Sequence, residues 1–284
     1  TKDMWRHLVP VLIMFSTTLS TMIYVNSDTT MLGWICGTEE VGYYTVASKM
    51  YNIIKSTLNA IVPVFMAKLS FQYVNSREEY NKTFSYAFNL LSFITIPLAI
   101  GALFYSDTII LLLSGREYLQ AENGMKLLFI SLCFASLGNL YSSGGILQAK
   151  KENWMLLATI LGAILNITAN LYFIPHFGCT GAAFTTLLTE IFVFTILFIC
   201  YKIFVKHCVG IGHILRCFIG TCPFGFIRNI GDNIDSNSLF LQVFLILSCG
   251  VIYLFILYML HDEIVLVGLK MVKGKIHNFS IKNK

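Results

Sequence analysis

Long, almost uninterrupted apolar runs are the feature that most constrains how this chain can fold. A helix that crosses a bilayer needs about 20 consecutive apolar residues, whereas transmembrane strands show alternating segments of roughly 10 residues. The 284 residues contain eight candidate spans, at approximately 8–36, 41–67, 84–105, 126–148, 154–174, 179–201, 211–227 and 238–260. The sequence therefore predicts an all-α, polytopic membrane helix bundle of about eight transmembrane helices.

The charge distribution predicts how these helices are oriented. Charged residues make up only 12% of the chain and hydrophobic residues 56%, compared with about 25% charged residues in a soluble domain. Most of the 20 lysines and arginines fall on the side of the membrane where the first span starts, and only Arg116, Lys126 and Arg228 fall on the other. Because cytoplasmic loops carry the excess of basic residues, we expect both termini in the cytoplasm. The net charge of +5 then requires no nucleic-acid partner.

The second predicted span, 41–67, carries its polar residues along one face. At 100° per residue, the polar residues within about 60° of Asn52 are Thr45, Ser48, Lys49, Lys55, Ser56 and Asn59. A lysine inside hydrocarbon costs at least about 2.5 kcal/mol on insertion scales, so two lysines on one stripe require a water-filled cavity or buried partners. The stripe predicts the lining of a binding cavity, with Lys55, Lys49, Asn52 and Asn59 as substrate-binding residues.

Two carboxylates within the spans are candidates to pair with these lysines. Asp28 lies about 15 Å before the outer turn of the first hairpin, and Lys49 lies at nearly the same depth after it, so the two are predicted to pair. Lys55 lies about 9 Å deeper, and Glu190 of the sixth span is its candidate partner. For both carboxylates a structural ion pair and an ion-coupling site remain open. In an ion-coupling site the carboxylate binds a proton or a cation and frees the lysine for an anionic ligand.

The sequence carries no recognisable catalytic motif. Its eight cysteines form no CxxC pair and no metal-ligand spacing, so we interpret them as small apolar residues of the membrane. No histidine stands in a nucleophile motif, and no Gly-rich phosphate loop is present. We therefore expect no enzymatic activity, no cofactor and no metal site.

Two motifs resemble the polysaccharide-type flippases of the MOP exporter superfamily. Residues 28–33, Asp-Thr-Thr-Met-Leu-Gly, followed by 40–49, Glu-Val-Gly-Tyr-Tyr-Thr-Val-Ala-Ser-Lys, are similar to the hairpin that opens the second half of these proteins. Asn166-x3-Asn170, followed by Ile174-Pro175-x2-Gly178-x2-Gly181-Ala182-Ala183, is similar to the segment that joins their later helices. The proline and glycines are expected to form a tight outer turn, and the small residues to allow close helix packing. The resemblance covers about residues 4–260.

The resemblance implies a fold. Members of this family have two lobes of six helices around a central cavity, sometimes followed by two extra helices. By that template residues 1–205 form the second lobe, residues 206–262 form two additional transmembrane helices, and residues 263–284 form a basic cytoplasmic tail. The first lobe is missing, so we expect the other cavity wall to come from a separate chain, from a second copy in a homodimer, or from sequence beyond these residues.

The resemblance also implies a function. Family members that carry O-antigen or capsule repeat units flip undecaprenyl-diphosphate-linked oligosaccharides from the cytoplasmic to the periplasmic leaflet of the bacterial inner membrane. The implied partners of this chain are that lipid-linked oligosaccharide and membrane lipid. Three alternatives remain open: a non-catalytic remnant or subunit that needs a separate first lobe, a multidrug exporter of the same superfamily, and a membrane polysaccharide polymerase or acyltransferase.

Overall fold

The computed structural model describes residues 2–235 and 238–270. Within these ranges the chain is helical and contains no β-strand. The helices are α1 (Lys2–Ile35), α2 (Thr38–Asn59), α3 (Ile61–Asn75), α4 (Arg77–Leu113), α5 (Glu122–Asn139), α6 (Glu152–Phe204), α7 (Gly212–Thr221), α8 (Pro223–Asp235) and α9 (Leu239–Met259). A 3-10 helix precedes α5 at Arg116–Ala121, a π-helical turn follows it at Leu140–Ile146, and residues 263–270 are helical. Most of the predicted basic tail lies outside the described residues.

The helix α6 is a helical hairpin rather than one straight rod. Gly178 interrupts its 53 residues with backbone angles φ 52° and ψ −132°, a positive-φ conformation that glycine adopts without steric cost. The two arms, residues 152–177 and 179–204, run antiparallel, and the Thr185 hydroxyl on one donates a hydrogen bond to Asn170 on the other. The arms contain the fifth and sixth predicted spans, and the tight turn predicted between them is confirmed.

Five helical segments of the described chain are long and apolar enough to cross a membrane, namely Thr38–Asn75, Arg77–Leu113, Arg116–Ile146, Glu152–Phe204 and Leu239–Met259. The first predicted span lies largely within α1, which has 34 residues. The seventh predicted span, 211–227, is divided between α7 and α8. Pro223 begins α8, a position that suits the fixed φ angle and missing N–H of proline. The chain is a multi-pass membrane protein with an all-α, polytopic bundle.

Two apolar clusters hold the first six helices together. One joins α3, α4, the π-helical turn and α6, with Phe84 stacked on Tyr201 at a ring-centroid distance of 4.6 Å. The other joins α1, α2, α4, α5 and the turn of α6, and its fully buried members include Leu32, Met125 and Ala182. The two clusters therefore pack all six of these helices against one another.

The C-terminal helices pack against α4. Tyr105 of α4 is buried in a third apolar cluster with residues of α8 and α9. Arg228 of α8 pairs with Asp107 of α4 at 2.6 Å and donates a hydrogen bond of 3.1 Å to Gln242 of α9. An apolar contact and a polar contact therefore join these helices to the rest of the bundle.

Candidate functional site

A cavity of about 440 Å³ lies among α1, α2, α5 with its π-helical turn, and both arms of α6. Its polar lining residues are Thr17, Thr18, Thr21, Lys55, Asn59, Asn139, Ser142, Ser143, Thr159 and Glu190. The size falls within the range of small-molecule sites, about 300–1,000 Å³. Hydroxyl and amide groups from four helices converge here, so the space can bind a polar ligand inside a membrane protein.

Lys55 and Glu190 form an ion pair in the wall of this cavity. The Lys55 Nζ lies 2.8 Å from Glu190 Oε1, and the two side chains are 18% and 7% exposed. The same Nζ lies 5.1 Å from the centre of the Tyr51 ring. The structure thus joins the two residues that the sequence analysis suggested as partners. A pair so largely desolvated is held because either charge alone would be costly to bury.

Amide and hydroxyl groups continue the polar surface away from this ion pair. The Asn139 amide on α5 donates a hydrogen bond of 3.0 Å to the Asn59 carbonyl oxygen on α2. Ser143, one turn further along, donates to the Asn139 carbonyl oxygen at 3.2 Å. Such side chains both donate and accept hydrogen bonds. They can therefore replace the hydrogen bonds among themselves with hydrogen bonds to the hydroxyl groups of a ligand.

Asp28 lies at the centre of a second polar cluster and is 1% exposed. Its Oδ1 accepts hydrogen bonds from the amides of Asn170 (2.7 Å) and Asn166 (3.2 Å). Its Oδ2 accepts hydrogen bonds from the hydroxyls of Tyr44 (2.8 Å) and Thr186 (2.5 Å). Four donors from α2 and the two arms of α6 therefore surround one carboxylate from α1, and we call this arrangement the Asp28 cluster.

A small cavity of about 90 Å³ lies beside the Asp28 cluster. It is lined by Asn26, Asp28, Thr29, Tyr44, Ser48, Tyr51, Asn52, Lys55, Thr186 and Glu190. Three of the four residues predicted to bind substrate therefore line one or both of these cavities. Asn59 lines the large cavity, Asn52 the small one, and Lys55 both.

The predicted pairing of Asp28 with Lys49 is wrong. The Asp28 carboxylate is occupied by Tyr44, Thr186 and the two asparagines, and Lys49 is exposed. Lys49 and Lys55 are six residues apart on α2, which places them about 120° apart around the helix. The buried face of α2 carries Tyr44, Ala47, Tyr51 and Leu58. Lys55 lies at the edge of that face, and Lys49 lies on the opposite, exposed side.

Sequence reasoning missed the partners of Asp28. Asn166 and Asn170 belong to one of the two sequence motifs, and their i, i+4 spacing places them on one face of a helix. Tyr44 and Thr186 carried no signal that distinguishes them from other polar residues of the spans. Proximity of α1 to the α6 hairpin, which only the packed structure shows, brings these side chains together.

The turn of the α6 hairpin contacts the start of α2. The Glu40 carboxylate accepts a hydrogen bond of 2.6 Å from the backbone N–H of Cys179, the first residue of the second arm. Carboxylates are favourable at helix N-termini, where backbone N–H groups lack partners within the helix. This contact joins the hairpin of α1 and α2 to the hairpin of α6, and so holds Asp28 near its partners.

Comparison with known protein sequences identifies a matching family and a curated relative. Residues 8–123 match the family described as "Polysaccharide biosynthesis protein". An uncharacterised membrane protein of Methanocaldococcus jannaschii is 31% identical over 187 residues, which cover 61% of this chain and 34% of that protein. The chain thus spans about a third of the length of this curated relative.

Three solved structures share the fold. The lipid II flippase MurJ in an inward closed conformation has a TM-score of 0.73 at 18% identity, covering 93% of this chain and 56% of that one. An outward-facing multidrug resistance MATE family transporter of the MOP superfamily has a TM-score of 0.59 at 17% identity, covering 87% and 63%. A MOP superfamily transporter from Pyrococcus furiosus has a TM-score of 0.52 at 19% identity, covering 86% and 60%.

These comparisons confirm the resemblance predicted from the two sequence motifs. The family match lies on α1 to α4 and the 3-10 helix that follows them, and the structural likeness extends over most of the chain. The matched part of each solved structure is little more than half of that protein. This chain therefore resembles the polysaccharide-type transporters of the MOP superfamily, with a match to the polysaccharide biosynthesis family over residues 8–123 and the MOP transporter fold.

Proposed function

We propose that this chain forms one wall of a flippase that moves undecaprenyl-diphosphate-linked oligosaccharide repeat units from the cytoplasmic to the periplasmic leaflet of the bacterial inner membrane. The products would serve O-antigen, capsule or exopolysaccharide synthesis. The observation that carries the proposal is the position of Lys55, a lysine largely buried in the wall of an amide- and hydroxyl-lined cavity. The family match and the shared fold with a lipid II flippase support it.

The chemistry of the cavity fits such a substrate. A lysine ammonium is a compact point charge with three donors, which suits a diphosphate. The amides of Asn59 and Asn139 and the nearby hydroxyls can exchange hydrogen bonds with sugar hydroxyls. In this proposal Lys55 binds the headgroup, the amides contact the sugars, and the lipid tail stays in the membrane.

The exposed side of α2 is proposed as the surface that a first lobe covers. Lys49 and Asn52 are exposed there, although exposed charge and amide groups are costly at membrane depth. A facing lobe would enclose them, so that they contact the substrate from the same wall as Lys55. The first lobe would come from a separate chain, from a second copy, or from a longer form of this protein.

We propose that the Asp28 cluster binds the coupling ion, either a proton or a monovalent cation. The carboxylate itself can bind a proton or a cation. The amides and hydroxyls that donate to it would add the hard oxygen ligands that such a cation prefers if they turned their oxygen atoms toward it. The adjacent small cavity gives such an ion space beside the carboxylate. Ionisable groups at membrane depth are typical of ion pathways, and occupancy of Asp28 would bias the rocking of one lobe against the other.

Complementation in a bacterium that lacks its own repeat-unit flippase and carries the matching oligosaccharide pathway tests the proposal. The chain is expressed alone and with a supplied first lobe, and surface polysaccharide is measured. Lys55→Ala is expected to abolish the signal at unchanged membrane level. Lys82→Ala is the matched control, because Lys82 is 73% exposed and pairs only with Glu78 one turn away among the described residues.

Each outcome separates the alternatives. Rescue by the chain alone indicates a complete cavity built from two copies, and rescue only with the first lobe indicates the second half of a flippase. Full activity of the Lys55→Ala variant contradicts the proposed site. If no combination rescues, the flippase proposal fails and a remnant or a multidrug exporter is favoured, which resistance to cationic drugs in an exporter-deficient strain then distinguishes.

A further inference from the structure

The Lys55–Glu190 ion pair stands between the two cavities. Lys55 and Glu190 are the residues that line both the large cavity and the small cavity beside Asp28. Lys55 comes from α2 and Glu190 from the second arm of α6, so their contact at 2.8 Å joins two separate elements. A change in that contact would alter the connection between the large cavity and the small cavity beside the Asp28 cluster.

We infer that this ion pair separates the two cavities until an anionic headgroup binds. Glu190 pairs with Lys55 when the headgroup is absent, and the headgroup displaces Glu190 from Lys55. This displacement connects the two cavities. The inference rests on the proposed function and deepens it. In this inference Glu190 is a positioning residue, because its displacement couples headgroup binding at Lys55 to the Asp28 cluster.

The displacement has a physical basis in charge and hydrogen bonding. A diphosphate carries more negative charge and more acceptor oxygens than a carboxylate, so it competes effectively for the Lys55 ammonium. A displaced carboxylate needs a new donor, since an unpaired buried charge is strongly destabilising. Glu190 would therefore need a donor in place of Lys55, and the small cavity is where the displaced side chain can meet one.

Tyr51 provides a donor for the displaced carboxylate. Its hydroxyl is buried near the Lys55 ammonium and the Ser131 hydroxyl, but no described residue lies within hydrogen-bonding distance of it. Tyr51 and Glu190 line the same small cavity, so the phenol can donate to Glu190 once Lys55 is occupied by the headgroup. A buried unpaired hydroxyl is itself unfavourable, and this exchange would satisfy it.

Thr186 connects Glu190 to Asp28. The two residues are four positions apart on the second arm of α6 and therefore lie on one face. Thr186 donates a hydrogen bond of 2.5 Å to Asp28 Oδ2. A movement of Glu190 toward the small cavity would place a second carboxylate near this hydroxyl, which would weaken its bond to Asp28 and change the affinity of the cluster for its ion.

Binding of farnesyl diphosphate, an isoprenyl diphosphate without sugar, tests the inference. The protein is studied in nanodiscs in the assembly that supports complementation, and farnesol serves as the uncharged control. Glu190→Gln should bind farnesyl diphosphate about tenfold more tightly than the wild type, because no carboxylate competes for Lys55. Tyr51→Phe should bind it about threefold more weakly, since the displaced carboxylate loses its donor. Farnesol binding should be unchanged in both variants.

A double-mutant cycle tests the connection to Asp28. Asp28→Asn is expected to change the affinity for farnesyl diphosphate in the wild-type background and not in the Glu190→Gln background. If Glu190→Gln does not fold, Glu190→Asp is measured instead. The shorter aspartate side chain cannot reach Lys55 equally well. The Glu190→Asp variant should therefore bind farnesyl diphosphate about threefold more tightly than the wild type.

The outcomes separate this inference from the proposed function. If the wild type binds farnesyl diphosphate in a Lys55-dependent manner, but removal or shortening of Glu190 leaves affinity unchanged or weakens it, the partition is wrong and the flippase proposal stands. If binding does not depend on Lys55, both are wrong. Equal effects of Asp28→Asn in the two backgrounds contradict the connection to Asp28.

Discussion

The Glu40 carboxylate accepts a 2.6 Å hydrogen bond from the backbone N–H of Cys179, and it lies directly against Gly178. A Cβ atom at position 178 would overlap this carboxylate. The same glycine has the positive φ angle that turns the α6 hairpin. One position therefore has to satisfy both a backbone and a packing requirement, and the contact that results holds two hairpins together.

Gly178→Ala is expected to destabilise the protein by about 2 kcal/mol or more, since a positive φ costs a non-glycine residue about 1–2 kcal/mol and the Glu40 contact is also lost. The measurement is thermal unfolding in detergent. Gly101→Ala is the matched control, because Gly101 lies within α4 with open space around it. Alanine there should be neutral or slightly stabilising. Equal unfolding temperatures for the two variants would contradict the role of Gly178.

Asp28→Asn is expected to fold and to lose transport. The hydroxyls of Tyr44 and Thr186 can accept from the new amide, so the hydrogen bonds can be rearranged, while the charge that would bind a coupling ion is gone. Asp28→Leu should fail to fold well, because it leaves four donors unpaired at about 1–3 kcal/mol each. Unfolding temperature and complementation are measured together. An Asp28→Asn variant that still complements would show that the carboxylate has only a structural role.

Arg228→Ala is expected to destabilise the packing of α8 against α4 by about 1–3 kcal/mol, because it removes charge-assisted hydrogen bonds and leaves a partly buried Asp107 without its partner. Limited proteolysis of the C-terminal helices, read by mass spectrometry, measures the local effect. Arg216→Ala is the control, since Arg216 is 44% exposed and lies 3.8 Å from its carboxylate partner. Equal protease resistance of the two variants would contradict the prediction.

The segment between α6 and α7 should make stability depend on pH. Burial, and secondly the charge of Arg77, lower the pKa of His207 below its ordinary value of 6.5. The unfolded chain then binds the proton more readily than the folded chain, so stability is full above about pH 6.5 and falls as the pH decreases through that value. Unfolding temperatures of the wild type and of His207→Gln at pH 7.5 and 5.0 measure this effect. The variant should lose less on acidification, and an identical loss would contradict the prediction.

The helical period by itself determined which residues of this chain share a face. The apolar runs determined the helices, the 100° spacing determined that Asn52, Lys55 and Asn59 lie on one polar stripe, and Gly178 determined the position of a tight turn. These features depend on neighbours in sequence, so they can be predicted without knowledge of the packing.

The tertiary structure decided which of the two lysine–carboxylate pairs suggested by the sequence forms. Lys49 and Lys55 belong to the same stripe, yet Lys55 pairs with Glu190 and Lys49 is exposed. Asp28 is bound by donors from α2 and α6 rather than by the lysine at its own depth. The physical reason is that the rotation of each helix about its axis is set by packing against its neighbours, and that rotation is encoded by the shapes of all the contacting side chains together.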